Sequence, residues 1–291
     1  MTISTPGVYE IPIDQYHHDA NLCAGPSISA SGLKLVADCP AKYWATSPYN
    51  PNRWPSRETK ALDLGRAAHA LVLGEPEFAK YFVISPYAEF RTNEAKEWRD
   101  AQTRTVLKAA EFDTVTDMAA AQRANHSVRR AFTAGKPEQS LIWLDKETGI
   151  WLRSRPDWLP DDPVNRFIAD YKTAVSIEPR KLSTDSWKYG YHVQAALQLD
   201  AVKEVMGVTA MGIAHVVQEK TPPYLADLRL FSTEQIEMGR VFYRRALRRF
   251  ADCMASGKWP GYTDTPQYFA TPRWAYSEEF YDEPDGTNPD F

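Results

Sequence analysis

The sequence is poor in cysteine: three among 291 residues, Cys23, Cys39 and Cys253, far apart and with no CxxC pair. An odd, scattered set cannot make a disulfide framework, and the expectation is a reducing, cytoplasmic compartment. Long apolar runs are also missing. None approaches the ~18 residues that a membrane helix needs, so no membrane association is expected. The opening MTISTPGVYEIPID has no basic start and no apolar core, and does not read as a secretory signal. No glycine-rich phosphate loop of the Walker or dinucleotide type occurs, which leaves an NTPase or a dehydrogenase without support. Charge of one sign is not dominant either. Lys and Arg number 34 against 38 Asp and Glu, a net −4, which excludes bulk-charge coating of nucleic acid but allows a local basic groove. What is present is ordinary globular material, 43% hydrophobic and 25% charged, ample for one large domain. Nine tryptophans and 21 prolines suggest a loop-rich enzyme with aromatic-lined surfaces.

Breakers at Pro6, Pro12, Gly25 and Pro26 predict an irregular arm over residues 1–26. Ser29 or Ser31 can cap a helix carrying Leu33, Leu35 and Val36, interrupted at Cys39-Pro40. A Pro-rich loop spans 46–57, and a stronger helix runs from about Glu58 to Leu73, with Leu62, Ala68 or His69, Val72 and Leu73 near one face. One or two helices are expected over 93–133. Alternation then predicts a three-strand meander: Ser140–Asp145, Ile150–Leu159 and Arg166–Ala174. A helix over Ser183–Val205, strands Gly212–Gln218 and Tyr224–Leu230, and a Ser232-capped helix to Ser256 complete the order. The fold class is α/β, a mixed central sheet flanked by helices, as one domain over 27–275 with an acidic, disordered tail at 276–291.

Chemistry concentrates in Pro156-Asp157 and, after twelve intervening residues (158–169), Asp170-Tyr171-Lys172. Residues i and i+2 share a strand face, so Asp170 and Lys172 point the same way. On antiparallel neighbours Asp157 can lie beside Asp170. Two close carboxylates call for a cation, and oxygen ligands favour Mg²⁺ or Mn²⁺ over zinc. A lysine beside them can orient or deprotonate a water, or stabilise a pentavalent phosphate, which together fits phosphodiester hydrolysis.

These residues resemble the PD-(D/E)xK nuclease superfamily, and five elements in order over 27–202 resemble its RecB-like branch. They are SASGLKLVADCPAKYWA, GRAAHALVLGEPE, LRSRPDWL, ADYKTA and GYHVQAALQLDAV. The tail WPGYTDTPQYFATPRW is similar to phage and prophage RecE-type exodeoxyribonucleases. The resemblance implies a restriction-endonuclease-like core. It implies His69, Asp157 and Asp170 as metal ligands, joined by the Tyr171 carbonyl, and Lys172 as the catalytic lysine. Gln194, with Tyr191, would position the lysine or the scissile phosphate, and Glu138 matches an acid before the first strand. A Mg²⁺-dependent exonuclease acting on linear double-stranded DNA ends is implied, 5′-to-3′ and leaving 3′ single strands. So are a ring-like homo-oligomer, a RecT-type single-strand annealing partner and a bacterial host cell. The chain departs from the pattern in having Gln198 where a tyrosine often follows Gln194. It also lacks the four-cysteine set of some relatives, so no iron–sulfur cluster is expected.

Around this set, Arg66 and Arg155 could grip a phosphate, including a terminal one. Arg240, Arg244, Arg245, Arg248 and Arg249 form a helical stripe that is either a solvated face, a subunit contact or a DNA-backbone track. Aromatics of the 43–54 loop either stack on unpaired bases or belong to the core, and His192 reads as structural or phosphate-facing. Two alternatives remain: a single-strand-specific or Cas4-like nuclease of the same fold, and a non-catalytic DNA-binding subunit.

Overall fold

A computed structural model describes residues 2–54 and 60–271. The acidic tail 276–291, residues 55–57 of the Pro-rich loop and the Leu62 side chain lie outside the described residues. The segment expected as an irregular arm carries a strand, β1 (Gly7–Tyr9), and a short helix, α1 (Ile13–His18). Ile3, Ile11, Tyr16 and Leu22 are buried there with Trp151, so apolar contact orders a stretch whose prolines signal turns. Strand β2 (Ser27–Ser29) runs into α2 (Ala30–Asp38) and α3 (Pro40–Thr46). Pro40 opens α3, where a missing N–H costs no helical bond.

Helix α4 (Lys60–Leu73) is followed by α5 (Glu75–Tyr81). The next stretch holds more than the one or two helices expected. It has β3 (Phe82–Ile84), α6 (Asn93–Asp100), β4 (Thr105–Leu107), α7 (Ala109–Ala124) and α8 (His126–Ala131). Asn125 separates α7 from α8, its side-chain oxygen accepting from the Ser127 and Val128 N–H groups.

The meander is present in sequence order but divided in space. Strands β5 (Gly135–Pro137), β6 (Ser140–Leu144), β7 (Trp151–Ser154), β8 (Trp158–Pro160) and β9 (Ile168–Ala174) belong to two sheets. One sheet has the order β1-β6-β7-β2. The helix expected over 183–205 is two, α9 (Pro179–Lys188) and α10 (Tyr191–Met206), joined through Gly190 at φ 64°. A Cβ on Gly190 would lie 2.7 Å from Lys34 Cδ, so only glycine admits both the left-handed turn and the lysine. Then come β10 (Ile213–Glu219), β11 (Ala226–Leu230) and α11 (Thr233–Ser256), whose cap Ser232 accepts from the Gln235 N–H. The second sheet is β11-β10-β9-β8-β5, with β9 and β10 parallel and the other pairs antiparallel. Strands of both directions with helices around them are the mixed α/β class read from the sequence.

Both faces of β9 are covered, which is why it reads as nearly continuous burial rather than alternation. Ile168 packs with Val193 and Leu197 of α10, while Tyr171 packs with Ala67 and Leu71 of α4. Asp170 and Lys172 follow Ile168 at two-residue steps and so look toward α10. Helix α11 closes the α10 side, and Gly239 brings it so near that a Cβ would meet the His192 carbonyl oxygen at 2.2 Å.

Candidate active site

The chain crosses from the first sheet to the second between β7 and β8, through Arg155-Pro156-Asp157. There Asp157 Oδ2 accepts the Tyr171 N–H at 2.6 Å, which fixes the carboxylate beside β9. Glu138 sits in the matching gap between β5 and β6. Its N–H donates to the Asp157 carbonyl at 3.1 Å, and its backbone takes φ 56°, an uncommon conformation for a non-glycine residue. Helix α4 brings His69 over both. His69 Nε2 lies 3.1 Å from Asp157 Oδ1 and 3.6 Å from Glu138 Oε1.

One ligand atom from each of His69, Glu138 and Asp157 lies within 4.8 Å of the others. His69 Nε2 is buried and makes no hydrogen bond despite these neighbours. A buried imidazole nitrogen left without a hydrogen bond between two carboxylates suits a divalent cation. Burial disfavours charge on His69, but Asp157 and then Glu138 outweigh it and lift the imidazole to about 9. Burial raises Asp157, but His69 and Lys172 reverse that and hold it down at about 2. Glu138 is raised, by burial and then by the charge of Asp157. Thus the imidazolium itself balances the pair, and a divalent cation accepted by the three would displace its proton.

Asp170 stands apart from this group. Fully buried, it holds Lys172 Nζ at 2.5 Å through Oδ2 and accepts from Gln194 Nε2 at 2.8 Å through Oδ1, with Gln198 Nε2 at 3.4 Å. Of the expected trio, His69 and Asp157 are brought together with Glu138, while Asp170 lies outside that group in this structure. Asp170 is taken up with the lysine and the α10 glutamines. For Tyr171 the structure supplies an N–H to Asp157 and a hydroxyl donating to Gln218 Oε1 at 2.6 Å. Burial opposes the Lys172 ammonium, but Asp170 and then Asp157 raise its pKa, so the charge stays. Its Nζ lies 5.9 Å from the ring centre of Tyr191. Gln194 thus reaches the lysine through Asp170, and Tyr191 through its ring.

The arginine expectations are corrected in part. Arg155 is not turned to a phosphate. Its guanidinium binds Glu138 and donates to the Ile11 carbonyl at 2.6 Å, and its side chain is only 9% exposed. Its place is to fix the Glu138 carboxylate. Arg66 lines a cavity with His69 and Glu77. Three of the five arginines in the α11 stripe are paired with carboxylates of the chain, while Arg245 and Arg249 are exposed. Arg240 binds Asp200 at 2.6 Å, Arg244 binds Asp145 and Glu147, and Arg248 meets Glu147 at 2.5 Å. Arg244 lines a cavity of about 800 Å³ that includes no residue of the His69 cluster.

Sequence reasoning missed His215. It sits on β10 opposite Asp170, 1% exposed, with Nε2 3.8 Å from Asp170 Oδ2 and its ring stacked on Tyr191 at 5.7 Å. A lone histidine in the apolar run IAHVVQE was the signal available. Lys34 was missed too. It reaches the site wall from α2, donating to the Tyr189 carbonyl at 2.8 Å. His192 packs on Trp187 at 4.0 Å between ring centres, a structural setting.

A family model described as a PDDEXK-like domain of unknown function (DUF3799) matches residues 29–272. Among solved structures, a crystal structure from Eubacterium rectale named "Putative exonuclease" superposes with a TM-score of 0.60 at 12% identity. The match covers 94% of this chain and 99% of that one, a likeness of fold.

Proposed function

The chain belongs to this PDDEXK-like family, and from that premise we propose that it is a divalent-metal-dependent nuclease hydrolysing DNA phosphodiester bonds. The observation that carries the reading is the convergence of His69, Glu138 and Asp157 beside a charged Lys172. His69, Glu138 and Asp157 would hold the cation, with Mg²⁺ the natural occupant of a carboxylate-rich set and Mn²⁺ its substitute. A bound cation supplies Lewis-acid polarisation of the phosphoryl group and lowers the pKa of water. The protein's own residues do the rest. Arg155 fixes the Glu138 carboxylate, and the Tyr171 N–H fixes that of Asp157. Asp170, steadied by Gln194, aims the Lys172 ammonium. Because Lys172 keeps its proton, its part is to stabilise charge growing on the phosphate rather than to take a proton from water.

Linear duplex DNA is the proposed substrate, degraded from the 5′ end, with a single-strand annealing protein as partner and a ring-like homo-oligomer as assembly. The exonuclease name of the fold neighbour and the RecE-like tail support that finer reading. Lys172→Met tests the lysine's role: kcat should fall at least a hundredfold while KM for DNA stays within a few-fold. A defect confined to KM would assign Lys172 to binding instead.

A further inference from the structure

The cation cluster opens into an inner cavity of about 240 Å³, walled by Ser29, Ser31, Lys34, His69, Asp157 and Gln194. A second cavity, about 640 Å³, shares His17, Ser29, Ser31 and Arg153 with it and runs out to Arg53 and Trp54. The two cavities adjoin at these shared residues, one lined by His69 and the other by Trp54.

Three features of the outer part point to its occupant. First, among the described residues no aspartate or glutamate lines it, while Arg53 and Arg153 do, in a chain of net charge −4. Second, Arg153 is 5% exposed on the wall of both cavities; its Nη1 donates to the Tyr16 carbonyl, while its Nε makes no hydrogen bond. Third, Trp54 is 74% exposed on a backbone that is pinned. Its N–H donates to the Ala45 carbonyl at 2.8 Å, and the Arg53 N–H donates to Asn50 at 3.2 Å. The Asn50 side chain donates to the Trp44 carbonyl at 3.0 Å, and Trp44 stacks on Trp259 at 4.9 Å. The other loop aromatics are spent internally: Tyr43 is in the core, and the Tyr49 hydroxyl donates to the Ser27 carbonyl at 3.1 Å. With its backbone already fixed, Trp54 has only side-chain freedom to lose on stacking.

An anion-seeking groove that ends in a bare aromatic face fits a polymer carrying both phosphates and π-faces. In a duplex the base faces are covered by their neighbours, so the matching partner is an unpaired strand. We propose that this groove is the entry path for a single-stranded nucleic-acid segment, with one base stacked on Trp54 and the backbone following Arg53 toward the site. The assignment deepens the nuclease reading and rests on it for the direction of the strand.

The test separates the two. Binding of a fluorescein-labelled single-stranded thymidine 12-mer is followed by anisotropy in EDTA, where no hydrolysis occurs. Mg²⁺-dependent hydrolysis of linear DNA by the wild-type chain is measured alongside. Trp54→Ala should weaken 12-mer binding about tenfold, as loss of one base stack does, and Trp54→Phe should restore most of it. Arg53→Gln should reduce the slope of log affinity against log salt by about 0.7, one single-strand phosphate. Wild-type-like binding by Trp54→Ala, or no 12-mer binding by the wild-type chain, overturns the path whatever the hydrolysis shows. Absent hydrolysis with Trp54-dependent binding overturns the nuclease reading and leaves the groove as a strand-binding site.

Discussion

Metal binding should tighten as pH rises, because the cation and a proton compete for the His69 imidazole. Its pKa of about 9 means that at pH 7 only about one chain in a hundred carries the neutral ring, so apparent affinity is weaker than intrinsic by about a hundredfold, or about 2.7 kcal/mol. Affinity should therefore rise about tenfold per pH unit between 7 and 9, then level. Binding at pH 7.5 should release about one proton per ion. Calorimetric Mn²⁺ titration at pH 6.5, 7.5 and 8.5, in two buffers of different ionisation enthalpy, measures both quantities. His69→Gln should bind more weakly and lose the pH dependence. A flat affinity with no proton release in the wild-type chain would refute the reasoning that links His69 to the cation through Asp157 and Glu138.

Other expectations follow from the same geometry. Arg155→Met should destabilise the fold by about 3–5 kcal/mol in urea melts, because it leaves the buried Glu138 carboxylate without its guanidinium; a change below 1 kcal/mol would show that Glu138 does not depend on it. Burial pulls His215 down to about 4, so the unfolded chain takes up its proton first as pH falls. The stability it contributes is complete above about 6.5 and drains away toward 4, by up to about 3 kcal/mol. His215→Phe should flatten that acid limb, and an unchanged limb would refute it. Arg244→Gln and Arg248→Gln should leave the salt slope of DNA binding unchanged, since both guanidiniums are already paired; a slope reduced by about 0.9 per arginine would restore the backbone track.

Much of the fold was legible because local pattern and global structure agree: the strands over 140–144 and 168–174, the Ser232 cap and the Cys39-Pro40 break stand where the sequence puts them, whereas the strand expected over Ile150–Leu159 is two, Trp151–Ser154 and Trp158–Pro160, broken at Pro156. The division of the meander into two sheets was not, because which edges pair is decided by long-range packing that period-2 alternation does not encode. The order in residues 1–26 escaped for a similar reason. Its strand and helix are held by Trp151 and Ile142, over a hundred residues away. At the site, the i, i+2 rule placed Asp170 and Lys172 together correctly. That Glu138 would converge on His69 and Asp157 was only half legible, since it depends on β5 and β6 setting Glu138 against the Asp157 backbone, a pairing that local pattern does not encode. The pairing of the arginine stripe was not legible, because helical spacing shows that guanidiniums align, not that Asp145, Glu147 and Asp200 lie opposite three of them.

The central claim is that the His69–Glu138–Asp157 cluster serves metal-dependent cleavage of DNA. It is tested most directly by incubating the purified chain, and its Asp157→Asn variant, with end-labelled linear duplex DNA in Mg²⁺ and in EDTA. Release of nucleotides by the wild-type chain in Mg²⁺ alone, lost at least a hundredfold in Asp157→Asn, is the predicted result. No release in Mg²⁺ or Mn²⁺, or equal release by the variant, would contradict it.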